Sequence, residues 1–178
     1  MKYLKRYKAF EESEFDVSST DSVDVKVSKD KLNDLKKQIS EYNQKKGQID
    51  NVFKRFKDPK QIETEIEKIM GKDNKNPFLV EYTHIARLNN DINIQHEANI
   101  KDKLSLDDFN KELGLAKDND LKKIIQSKIS DINNRMSERN KKIADIKKKS
   151  TESEKKHREK MKKMESELRD YIKKISSN

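Results

Sequence analysis

The last third of the chain, residues 118–178, contains neither glycine nor proline. Because these two residues are the usual interruptions of a helix, their absence over 61 residues predicts one long helix. We expect it to begin near Asp118 or Asn119. Apolar side chains from Ile125 to Ile146 keep heptad spacing, with Arg139 intruding.

The segment from Lys147 to Lys160 has no aliphatic residue. Beyond it the apolar pattern returns as a distal docking stripe, which comprises Met161, Met164, Leu168, Tyr171 and Ile175. Counting in sevens across the gap fails by four residues, a stutter in the heptad pattern. We therefore predict that the gap is solvated or binds an anion, and that the distal stripe docks outside the body of its own chain.

Residues 141–178 hold 14 Lys or Arg and 7 Asp or Glu, so most of the chain's net charge of +9 lies here. The candidate phosphate contacts are Lys147, Lys148, Lys149, Lys155, Lys156, Arg158, Lys162 and Lys163. Acidic residues are interleaved with them, and no aromatic side chain lies between Phe109 and Tyr171 to stack on bases. A solvated helix face is the simpler interpretation. Any binding of nucleic acid would be non-specific and salt-dependent.

Residues 28–117 are predicted to form a helical body. Its first helix begins at Ser28 as N-cap and carries a heptad seam made by Leu32, Leu35, Ile39, Tyr42, Ile49, Phe53 and Phe56. Lys46 is the one polar side chain at a seam position. It either fixes the register or oligomeric state, or it extends its ammonium out of the seam into solvent.

Two Asx-Pro pairs divide the body further. Asp58-Pro59 and Asn76-Pro77 each combine an N-cap with a proline at the first helical position, and Gly71 is the expected C-cap between them. We predict that the third helix runs to about Lys103. A short amphipathic helix then follows from Ser105 to Gly114.

Residues 1–27 are predicted to be a flexible arm and linker. Val23, Val25 and Val27 alternate with polar residues, a short strand pattern with no second strand to pair with, so we expect extended chain there. Within the arm, helical spacing connects three aromatic residues, namely Tyr3, Tyr7 and Phe10.

The segment Met1–Glu14 carries Lys5, Tyr7 and Phe10 before Glu11 and Glu12. It resembles the N-terminal targeting segments of proteins packaged into the heads of large tailed bacteriophages. The resemblance implies a docking peptide that directs a Lys-rich helical protein into the prohead. In that family a protease often removes the segment after Leu or Ile, any residue, then Glu. Here no such triplet occurs near residues 8–20, and Leu79-Val80-Glu81 is a match further along the chain.

Composition limits the remaining classes. Leu, Ile, Val and Phe make up about 22% of the chain and mean hydropathy is −1.20, which suits narrow helix seams better than a thick core. Cysteine is absent, the glycines are isolated, and the three histidines lack metal-ligand spacing. We therefore predict no enzyme, no cofactor and no metal site.

The predicted fold is all-α, an elongated helical hairpin or coiled coil with an arm (1–27), a body (28–117) and a long basic helix (118–178). The predicted function is that of a virion structural or assembly protein, associated with the head or neck. It would work through coiled-coil association with itself or with other proteins. A non-specific nucleic-acid-associated coiled coil is the alternative. No membrane or small-molecule partner is expected, and the location would be the virion or host cytoplasm.

Overall fold

The computed structural model describes residues 23–71 and 76–177. Their fold is all-α, as the sequence predicts, and these residues include no strand. In the described residues four helices follow one another: α1 (Val23–Arg55), α2 (Pro59–Met70), α3 (Pro77–Leu115) and α4 (Asn119–Ser176). Tyr3, Tyr7 and Phe10 lie outside the described residues, so the docking peptide stays a prediction.

The predicted caps at Asp58, Gly71, Asn76 and Asp118 are confirmed. The Asp58 carboxylate accepts a hydrogen bond from the Lys60 amide at 3.0 Å, and Asp118 caps α4 in the same way through the Asp120 amide. Gly71 ends α2 with φ at +78°, a backbone conformation that side chains disfavour. Asn76 accepts from the Phe78 amide at 3.1 Å.

Two predicted helix boundaries are wrong: the start of the first helix at Ser28 and the end of the third near Lys103. In each case the neighbouring segment is part of the same, longer helix. Residues 23–27 are the start of α1 rather than extended chain, and Ser28 lies on the buried face one turn before Leu32. Extending an existing helix adds one hydrogen bond per residue fixed, which outweighs the small cost of β-branched residues. The separate helix from Ser105 to Gly114 is the last part of α3, since no helix breaker precedes it.

The helices contribute to two compact units, which we describe separately. The first holds α1, α2, the beginning of α3 up to His84, and α4 from Glu154 onward. The second, Ile85–Ser153, holds the rest of α3 and α4.

In the first unit, the predicted seam of α1 lies on its buried side. Leu32, Ile39, Tyr42 and Ile49 are buried, and the other members are half-buried. At the C-terminal end of α1, Val52 packs with Ile62 and Ile66 of α2. The apolar side of α1 therefore packs against other helices of the same chain.

In the second unit, α3 and α4 run antiparallel. Ile92 of α3 packs against Ile143 and Ile146 of α4, with Leu88 beside them. Further along α3, Asn99 donates a hydrogen bond to Asn140 of α4 at 2.8 Å. In the described helices we find no stretch with the length and hydropathy that a membrane crossing demands.

Candidate functional site

A buried polar cluster joins three helices of the first unit. Tyr42 comes from α1, Glu81 and Tyr82 from α3, and His157 from α4. Heptad spacing explains why His157 lies on the buried face of α4, because counting in sevens from Ile143 gives Ser150, His157, Met164 and Tyr171. The register therefore continues through the segment without aliphatic residues, and polar side chains occupy it.

The side chains of Ser150 and His157 correct the prediction for Lys147–Lys160. These residues are 3% and 9% exposed, so this part of α4 keeps a buried face and is not simply solvated. The predicted stutter is wrong, because it came from counting aliphatic residues alone. The buried residues Ile143, Ser150, His157 and Met164 follow one another at intervals of seven without a break.

His157 uses both ring nitrogens on neighbouring helices. Its Nδ1 lies 3.3 Å from a carboxylate oxygen of Glu81, and its Nε2 lies 3.1 Å from the hydroxyl of Tyr42. Because a carboxylate only accepts, the proton of the neutral ring belongs on Nδ1. The Nε2 lone pair then accepts a hydrogen bond from Tyr42.

Charged groups of both signs surround this core. Lys160 donates to the second oxygen of Glu81 at 3.0 Å, and the hydroxyl of Tyr82 donates to the carboxylate of Asp50. The Lys46 ammonium lies 5.0 Å from the ring centroid of Tyr82 and 5.8 Å from that of Tyr42. Two carboxylates therefore balance two ammonium groups around a neutral imidazole.

Lys46 is half-buried, and its ammonium lies over the two tyrosine rings. A cation in this position is attracted by the negative faces of the rings. Of the two sequence-based alternatives, simple extension into solvent does not describe this contact. A role in fixing register stays a prediction.

The cluster alters the acid–base behaviour of its members. Burial lowers the pKa of His157, and the positive charges of Lys46 and Lys160 act in the same direction, while Glu81 opposes them. Burial, aided by the negative charge of Asp50, raises the pKa of Tyr42 to about 12. Burial and the hydrogen bond to Asp50 also raise the pKa of Tyr82. At neutral pH all three rings are therefore held in their uncharged forms.

A second polar group lies in the unit Ile85–Ser153. Arg139 donates to Asp102 at 2.5 Å and to Asn99 at 3.2 Å, and Arg135 reaches the other carboxylate oxygen of Asp102 at 3.2 Å. Hydrogen bonds from the two guanidinium groups lower the pKa of Asp102. Arg139, which interrupts the apolar pattern of α4, thus pairs with Asn99 and Asp102 of α3.

The structure places the other predicted site residues as follows. All eight candidate phosphate contacts are exposed, three in the unit Ile85–Ser153 and five in the other. Arg158 forms an ion pair with Glu154 at 3.1 Å, as the interleaved acidic residues suggest. His84 and His96 are exposed. Among the described residues, no group of three His, Cys, Asp or Glu side chains could hold a metal ion.

The distal docking stripe is packed within its own chain, which corrects the prediction of an outside partner. Met164 is 3% exposed, and the other four members are half-buried. The ring of Tyr171 lies 5.9 Å from the Lys31 ammonium of α1. The stripe therefore contributes to the core of the first unit.

Comparisons with protein-family models, curated proteins and solved structures found no match to this chain.

Proposed function

We propose that this protein is a non-enzymatic structural or assembly protein, of the kind incorporated into bacteriophage virions. It acts through helix–helix association and an N-terminal docking peptide. The resemblance of Met1–Glu14 to prohead-targeting segments supports the virion context. The buried cluster supports the structural role.

One observation carries the structural role: His157 has a partner on a neighbouring helix at each ring nitrogen. A histidine that transfers protons must bring one nitrogen within hydrogen-bond reach of its substrate. His157 instead connects Tyr42 of α1 to Glu81 of α3. Both of its hydrogen bonds connect helices of the same unit.

The decisive experiment concerns residues 1–16. Particles made by the genes that surround this one are purified by sedimentation, with either the full chain or a chain lacking residues 1–16. We expect the full chain in the particles and the shortened chain in the unbound fraction. Equal incorporation of the two would refute the docking peptide.

A matched pair of variants refines this test. Replacing Tyr3, Tyr7 and Phe10 by serine removes the aromatic stripe but keeps the length and charge of the arm. We expect it to reduce incorporation as the deletion does. Substituting Ser18 and Ser19 by alanine is the control and should leave incorporation unchanged.

The alternative function, non-specific binding of nucleic acid, is favoured by the exposed basic side chains of α4. Filter binding to DNA at low and high salt tests it. Binding that weakens linearly in log affinity with log salt is expected if phosphates are contacted. No binding at low salt would exclude this function.

A charge-matched comparison identifies the surface. One variant replaces Lys155, Lys156, Lys162 and Lys163 by glutamate. The control replaces Lys101, Lys103, Lys111 and Lys123, which are also exposed, and changes the net charge equally. A loss of DNA binding in the first variant alone supports a specific role for the basic end of α4. Equal losses would indicate only the attraction of a basic protein to a polyanion.

A further inference from the structure

The unit Ile85–Ser153 carries large apolar side chains on its outside. Of the seven exposed large apolar side chains among the described residues, five lie here: Ile100, Leu104, Leu115, Leu121 and Ile124. We call the three on α3, namely Ile100, Leu104 and Leu115, the exposed apolar patch. Leu115 is 81% exposed, and Ile100 and Leu104 are each 62% exposed. Single apolar side chains on a surface are normal, but several on one helix face indicate a contact surface.

All three members of the patch lie on one face of α3. At about 100° per residue, Leu104 lies roughly 40° and Leu115 roughly 60° around the helix from Ile100. Asp102 and Phe109 point toward α4, where Asp102 pairs with Arg139 and the Phe109 ring lies 5.3 Å from the Lys128 ammonium. The apolar face of α3 is therefore on the side away from α4. Within this unit, α4 cannot cover it.

The charges around the patch indicate what could cover it. Residues 100–124 contain six lysines and six acidic residues, so this segment is neutral in a chain of net charge +9. Two pairs of these charges meet on the surface, Lys111 with Asp108 at 3.5 Å and Lys123 with Asp120 at 3.3 Å. A nucleic acid or an anionic membrane would be attracted to the basic end of α4 instead. A second copy meets no net repulsion at this neutral segment.

We propose that a second copy of this chain docks on the exposed apolar patch, so that the α3 faces of two chains pack against each other. A two-fold interface uses the same surface on both chains, which requires a surface that complements itself in charge and polarity. This segment combines an apolar face with equal numbers of both charges. Two antiparallel helix pairs would then pack as four helices. The inference rests on the proposed function, in that it names the surface through which assembly by self-association begins.

Sedimentation equilibrium of the full chain over a range of concentrations tests the proposal. We expect the average mass to rise from monomer to dimer. The variant Ile100→Gln with Leu104→Gln should raise the dissociation constant about tenfold or more, because apolar surface no longer leaves water on association. Circular dichroism checks that the variant keeps its helix content.

Val80→Gln is the matched control, since Val80 is also exposed and on α3 but belongs to the other unit. It should dimerise like the wild type. A monomer at all concentrations, or equal dimerisation of wild type and the double variant, would overturn the proposal.

The absence of cysteine allows a second, independent measurement. Leu104→Cys introduces a single thiol that a bifunctional maleimide should link into a covalent dimer at low protein concentration. Val80→Cys should stay monomeric under the same conditions. Equal yields for the two thiols would contradict the proposed surface.

The outcomes separate this inference from the function on which it rests. If the chain is monomeric but its incorporation into particles depends on residues 1–16, the dimer is wrong and the assembly role stands. If the chain dimerises through α3 but never enters particles, the dimer stands and the virion role is wrong. Added salt should preserve the dimer, because an apolar interface in a neutral segment does not depend on charge attraction, whereas binding to nucleic acid would weaken.

Discussion

His157 and Tyr42 are 115 residues apart in the chain, and their side chains meet at 3.1 Å inside the first unit. The pair fixes α4 against α1. Glu81 on the other side of the imidazole adds α3 to the same contact. One histidine thus connects three helices.

Acid should weaken this contact. The pKa of His157 is lowered in the folded chain, so the unfolded chain binds the proton more readily. The stability that neutral His157 contributes is therefore complete above the ordinary pKa range of histidine and is lost as pH falls through that range. We expect urea unfolding to show a lower free energy of unfolding at pH 5.5 than at pH 8. In His157→Gln this difference should shrink, whereas His84→Gln, at an exposed position, should behave as the wild type. Equal pH dependence in all three proteins would contradict the prediction.

Alkali should act on the same cluster through Tyr42. Its pKa is raised to about 12 by burial and by Asp50, so the neutral hydroxyl stabilises the fold at neutral pH. The stability that Tyr42 contributes is fully present below the ordinary tyrosine pKa and is lost as pH rises from there toward 12. Ultraviolet titration of Tyr42→Phe should show one late-titrating tyrosine fewer than the wild type.

At pH 7, Tyr42→Phe should lower the free energy of unfolding by about 1 kcal/mol, because His157 loses a buried hydrogen bond.

Asn76→Asp should separate two roles of one side chain. Asn76 caps α3 through its amide oxygen and donates through its amide nitrogen to the Gln38 carbonyl at 2.8 Å and to Glu41 at 3.2 Å. Aspartate is an equally good cap but cannot donate, and it places a second carboxylate beside Glu41. We expect a loss of about 2–3 kcal/mol in the free energy of unfolding. Asp58→Ala, at an exposed cap, should cost only about 1 kcal/mol. A loss for Asn76→Asp no larger than that would show that the cap alone matters.

Asp102→Asn tests the polar group of the second unit. The substitution keeps the shape of the side chain but removes the charge that holds Arg139 and Arg135. We expect a loss of about 1–2 kcal/mol at pH 7. Because the pKa of Asp102 is lowered in the folded chain, the difference from wild type should vanish as pH falls below the ordinary aspartate range. Asp108→Asn, an exposed site with a pair on its own helix, should change stability by less than about 0.5 kcal/mol.

Local signals in the sequence identify most helix ends. Asp58-Pro59, Asn76-Pro77 and Gly71 each act within a few residues, so their outcome hardly depends on tertiary structure. Val23–Val27 and Ser105–Gly114 differ from their predicted structure for the opposite reason. Their local patterns favour a strand or a separate short helix, but the adjoining long helices extend through them.

The candidate site is less visible in the sequence because its members come from distant segments. Ser150 and His157 are buried, but a search for aliphatic residues passes over them because serine and histidine are polar. Their heptad spacing from Ile143 and Met164 is the signal that could have found them. The partner at each position, such as Tyr42 for His157, follows only from the way the helices pack.

The row of seven-residue steps on α4 has a consequence for how the chain finds its native alignment. Sliding α4 along α1 by one heptad would place Ser150 or Met164 opposite Tyr42 instead of His157. An apolar seam tolerates such a slide, since one aliphatic layer resembles the next. A buried tyrosine facing methionine would lose its acceptor, and the displaced imidazole would lose both of its partners. We therefore expect the polar layer to disfavour shifted alignments of α4 against α1, so that a chain with few apolar residues reaches one arrangement of this unit.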